Sequence, residues 1–125
     1  MTVNLLQALN AYKAIISLMT EKLPFKTAHA LLMAKKELQI HYDFYVEQEN
    51  SLVQEYALRN KDRTICVENN QVQIPSDKLA EFRSRRAELD SIEVSVDLKE
   101  PTLYGVTEIS PAILEPLLDI FKFEE

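Results

Sequence analysis

Cys66, His29 and His41 are the side chains best suited to chemistry in this chain, and their spacing limits what they can do. A thiol with a distant histidine is the minimum for nucleophilic catalysis, which also needs a group to orient the base and an oxyanion-binding turn. Neither can be located around Cys66, and the default for such a residue is a buried thiol on a strand. The two histidines are twelve residues apart, which on one helix, at ~100° per residue, sets them about 120° apart around the axis. They cannot hold one metal ion together, and there is no histidine pair at i, i+4 and no second cysteine to complete a zinc set. The reading is no catalytic residue, no metal and no cofactor.

Asp43, Glu47, Glu49 and Glu55 have the types needed for acid–base work or magnesium binding. As a group they read as a solvated helix face, because Asp43 and Glu47 form a like-charge i, i+4 pair that wants basic neighbours. Arg83, Arg85 and Arg86 are the candidates to supply them. That arginine cluster could instead hold a nucleic-acid phosphate, but it sits in an acidic chain without interleaved aromatic residues. Ion pairing within or between subunits is the favoured reading, and nucleic acid is an unlikely partner.

The 125 residues carry 20 acidic and 14 basic side chains, a net charge of −6, with 46% hydrophobic residues. These proportions fit one folded domain with a modest core. A single glycine, Gly105, argues against phosphate-cradling loops and hairpin-dense all-β folds, which need positive φ at many positions. One cysteine allows no internal disulfide. The N-terminal residues lack a basic, cleavable leader pattern, and no apolar run approaches the ~20 residues of a membrane span. These features predict a cytosolic protein with no membrane contact.

The elements that must position these residues follow from periodicity. From Val3 to Met19, apolar residues recur at steps of three and four, the period of a helix, with Thr2 as the expected cap. Pro24 then opens a second helix after a short connection, so the two are expected to be antiparallel neighbours. From Pro24 to about Asn60, roughly 37 residues contain no further proline and no glycine, enough for about 55 Å of helix. A compact domain of this size is only ~36 Å across, so the helix must break or project.

Beyond it, Thr64 to Val67 and Val72 to Ile74 read as a hairpin turning at Asn69 and Asn70. Ser76 is positioned to cap a third helix, and Ile92 to Leu98 alternates as a strand expected to pair with the hairpin. Residues 99–107 connect to a last helix opened by Ser110 and Pro111. The fold class is α+β: a long antiparallel helical hairpin over residues 3–60, a small, mainly antiparallel sheet of about three strands, and two shorter helices.

The seam of the long helix changes along its length. Phe25, Ala28, Leu31, Leu32 and Leu38 give way to Tyr42, Phe44, Tyr45 and Tyr56, rings whose hydroxyls want a wet edge or a partner. The first helix is too short to cover both halves. Tyr42, Phe44, Tyr45, Glu49 and Tyr56 are therefore the candidate contact residues for a protein partner, with Arg83, Arg85 and Arg86 as possible ionic contacts.

The run Leu23, Pro24, Phe25, Lys26, Thr27, Ala28 opening a long helix resembles an uncharacterised family of small proteins encoded in phages and prophages of Gram-positive bacteria. The order that follows is similar too: a Tyr56-containing helix end, a charged turn and hairpin, the Phe82 to Leu89 helix, the Ile92 to Leu98 strand, and a helix after Ile109, Ser110 and Pro111. The chain departs from that pattern in lacking glycines in the turn near Lys61 and Asp62. The resemblance implies no catalytic residues. It implies a non-enzymatic accessory or structural protein that contacts itself, a phage protein or a host protein, possible roles including inhibition of a host protein or defence system and self-assembly.

Overall fold

The structure is a computed structural model that describes residues 1–106 and 108–124. It is α+β, with an antiparallel pair of helices at its centre: α1 (Leu5–Leu18) and α2 (Phe25–Tyr56). Asn4 caps α1. Its Oδ1 accepts from the Gln7 N–H at 2.7 Å while Gln7 Oε1 accepts from the Asn4 N–H at 2.9 Å, so two otherwise unmatched donors are satisfied reciprocally. Thr2, expected as the cap, belongs instead to strand β1 (Thr2–Asn4). The capping box displaced it: only Asn4 has a glutamine three positions on to close the pair.

α2 does not break. Its 32 residues form a rod of about 48 Å, ending at Tyr56 rather than near Asn60. Arg59 still serves the helix end, donating to the Gln54 carbonyl at 2.9 Å. The buried face runs through Thr27, Ala30, Leu31, Ala34, Leu38, Tyr45, Leu52 and Tyr56. Phe25, expected on that face, is 96% exposed, because it projects about 160° away from Thr27 and Tyr45 around the axis.

Ala8, Ala11 and Ala14 on α1 and Ala30 and Ala34 on α2 are all buried in the main core. Side chains this small let the two helices approach closely. α1 also packs on α4 (Pro111–Leu118) and on α3 (Leu79–Asp90). The helix α4 starts at Pro111 as expected and runs past Pro116. The main core joins α1, the first half of α2, Val96, Leu103, Leu117, Ile120 and Phe121.

Among the described residues, three separate two-stranded ladders replace the single sheet expected. β2 (Val67–Glu68) and β3 (Gln71–Val72) form the hairpin, turning through Asn69 and Asn70 at φ 52° and 61°, the left-handed pair a two-residue turn requires. β4 (Glu93–Ser95) pairs not with that hairpin but antiparallel with β1, Val3 opposite Val94. The physical reason lies in the end of α3: Leu5 N donates to Ile92 O at 2.7 Å, so the chain leaving α3 already lies against the start of α1. β5 (Thr102–Tyr104) pairs parallel with β6 (Lys122–Glu124). The connection expected over residues 99–107 contains β5 and ends on Thr107, which lies outside the described residues.

Thr27 joins this last ladder to the long helix. Its buried hydroxyl donates to the Tyr104 carbonyl and accepts from the Tyr104 N–H at 3.2 Å. Gly105 follows at φ +70°, and a Cβ there would meet Pro24 Cγ at 2.8 Å. Both the backbone conformation and the close approach need glycine.

Candidate protein-contact surface

α3 covers the second half of α2. The two helices run antiparallel: Tyr45 meets Asp90, Glu49 meets Arg86, and Tyr56 meets Glu81. Leu52, Phe82 and Leu89 fill the space between them, with Leu5 and Leu9 from α1.

Tyr45 and Tyr56 are therefore core, and the expectation that they contact a partner is corrected. Tyr45 is 1% exposed and its hydroxyl donates to Asp90 Oδ1 at 2.7 Å. Burial, reinforced by the Asp90 hydrogen bond and charge, pushes the Tyr45 phenol up to about 12 against the opposing pull of Arg86. Tyr56 donates to Glu81 Oε1 at 2.8 Å and sets its ring edge to face with Phe82, centroids 5.9 Å apart. Arg85, the largest single influence on Tyr56, favours its ionised form, but the Glu81 hydrogen bond, burial and the Glu81 charge together raise the phenol above its ordinary value. Each hydroxyl finds a carboxylate on α3, which meets the requirement of buried tyrosines for a polar partner.

The remaining candidates separate. Tyr42 is half-buried and stacks on Tyr12 at 4.3 Å, so its ring is largely used within the fold. Glu49 accepts from Arg86 at 2.8 Å, and Glu55 from Arg85. Partial burial works against the Arg86 charge, but Tyr45, Glu49 and Asp90 outweigh it and hold the guanidinium more firmly protonated. For Arg85, hydrogen bonds to Tyr56 and Glu55 act in the same direction. Two of the three arginines are thus spent on intramolecular pairing, while Arg83 is exposed and makes no ion pair among the described residues. Phe44 alone of the ring set is solvent-facing, at 44%, beside a shallow groove with Leu52, Leu89 and Ile92.

The reactive residues stay apart. His29 sits 3.3 Å from Glu100, both exposed, and His41 lies about 18 Å further along the axis. Cys66 is half-buried beyond the far end of α2, its N–H donating to the Leu58 carbonyl at 2.8 Å. Among the described residues no group of three potential ligands gathers in metal-binding geometry, and no helix is long and apolar enough to cross a membrane.

The sequence reading includes Phe44 but not its two apolar neighbours on the outer face of α2, Met33 and Ile40. Met33, Ile40 and Phe44 fall within about 40° of one another, roughly 120° from the buried face. Ile40 is 70% exposed, and Met33 is exposed as well. Neither lies on the inner seam, where the rings cluster. A signal was present in the charges: residues 25–36 contain Lys26, Lys35 and Lys36 and no acid, whereas residues 37–56 contain Glu37, Asp43, Glu47, Glu49 and Glu55 and no lysine or arginine. The first turn accordingly has no acid and the last no base, the reverse of what the helix dipole favours. Comparison with protein-family models, with curated proteins and with solved structures gives no match.

Proposed function

We propose that the protein works without catalysis, by protein–protein contact through the outer face of α2, as a phage or prophage accessory or structural protein of the host cytoplasm or the virion. The observation that carries this reading is the exposure of Ile40, at 70%, in one line with Met33 and Phe44 on an unbroken helix. Single exposed apolar side chains are ordinary, but an aligned group on a rigid element is a binding surface in search of cover. The interior polar groups support the same reading. Tyr45, Tyr56 and Thr27 are committed to holding elements together, and Arg85 and Arg86 to carboxylates of α2, which leaves less basic surface for phosphate.

Affinity capture from the host cell tests this directly, comparing the unaltered protein with the Ile40→Glu/Phe44→Glu variant. The expected result is a protein retained by the first and lost by the second, at an unchanged melting temperature. Identical captured proteins with both would overturn the reading.

A further inference from the structure

We infer, building on the contact reading, that the outer face of α2 is covered by a second copy of the chain, its α2 antiparallel to the first and crossing it at Ile40. The charge of the helix carries this. Lysines occupy residues 25–36 and carboxylates residues 37–56, an order that opposes the dipole of the helix that bears it. Facing an antiparallel copy, Lys36 and Glu47 become complementary and the two dipoles oppose each other; Lys26 lies over the Tyr104 ring of its own chain and Lys35 lies about 160° around the helix from the apolar line, so neither adds to the contact. Among the described residues neither Lys36 nor Glu47 makes an ion pair, and both border the apolar line on the same side. By contrast Glu49 and Glu55, turned towards α3, are already paired.

A two-fold axis beside Ile40 sets that residue against itself, as a symmetric interface requires. It places Lys36 over Phe44 of the second copy, a cation over a ring, and one helical turn from the second copy's Glu47. Glu47 of the first copy receives Lys36 of the second in return. With the axis at Ile40, residues 33–47 of one copy face residues 47–33 of the other, a strip about 21 Å long and roughly 11 Å wide, a footprint on the order of 230 Å² per copy. Standard stable interfaces use about 800 Å² per partner, so the dimer is a weak, reversible one.

Sedimentation equilibrium from low micromolar to several hundred micromolar protein reads the mass. The expected result is a concentration-dependent rise from monomer to dimer, weakened on the order of 100-fold by Ile40→Glu, which places like charges together on the axis. Circular dichroism and melting temperature of that variant check that it folds. Lys36→Glu or Glu47→Lys alone should weaken association about tenfold at low salt, and the double reversal should restore it.

Crosslinking, in a Cys66→Ser background, reads the orientation. Ile40→Cys should form a disulfide dimer on mild oxidation. Ser51→Cys, on the same face but about 33 Å from its own counterpart in an antiparallel pair, should not. Crosslinking by both variants would mean a parallel pair and overturn the inference. A monomer mass throughout would also overturn it; if Ile40→Glu still abolished capture of another protein, the contact reading would survive and only the second copy would be lost as occupant.

Discussion

The two halves of α2 are buried by different chemistry. The first half presents Ala30, Leu31, Ala34 and Leu38 to α1 and the main core, where small and aliphatic side chains interlock and the polar exceptions, Thr27 and Tyr12, bond to the Tyr104 backbone and to Gln39. The second half presents Tyr45, Leu52 and Tyr56 to α3 and the start of α1, and each phenol leaves through a carboxylate on α3. Close helix approach needs small residues, and a helix lying further off needs rings to bridge the gap. Rings with hydroxyls in turn fix which polar residues the covering helix must carry.

Substitutions ranked by expected effect separate the halves. Leu38→Ala, fully buried in the aliphatic first half, should lower unfolding stability by about 3–4 kcal/mol in urea titration, since the alanine-lined helices have little to collapse into the cavity. Gly105→Ala acts where the first half meets β5, combining positive φ with a 2.8 Å approach to Pro24; a loss of about 2 kcal/mol is expected by the same measurement.

In the second half, Tyr45→Phe should cost only about 1 kcal/mol at neutral pH, one hydrogen bond with the ring retained. It should also change the alkaline limb. The folded phenol at about 12 lies above its ordinary value of 10, so its contribution is complete below pH 10 and is lost as pH rises towards 12. Wild type should therefore lose stability across that window, and Tyr45→Phe should lose less; equal slopes in the two proteins would show that the hydroxyl is not held as described. Arg86→Met should be smallest, under ~0.5 kcal/mol, because its pair with Glu49 lies at a solvent-screened rim. A larger loss there would mean the ionic rim, not the tyrosine core, holds α3 in place.

Much of this was legible in the sequence. The helical hairpin, the Asn69–Asn70 turn and the Ser110–Pro111 start of α4 rest on local chemistry: periodicity and turn residues. The charge pattern pointed to pairing of the arginines with acids of the long helix, but which of them meet, Arg85 with Glu55 and Arg86 with Glu49, came from packing of α3 on α2. The contact surface was only half legible. Phe44 stayed exposed as expected, but Tyr45 and Tyr56 did not, since exposure of a ring depends on whether another element reaches it.

What the sequence determined alone is where α2 starts and that nothing within it compels a break, because glycine and proline act through the backbone of their own and adjacent residues. It also determined the division of α2 into a basic and an acidic half. Only the tertiary structure decided that α3 covers the tyrosines, that β4 joins the N-terminal strand rather than the hairpin, and that Ile40 faces water. Those outcomes turn on which distant segments fit the surface left by α1 and α2, and strand pairing or burial between residues far apart in the chain is settled by packing of the whole rather than by the pattern of either part.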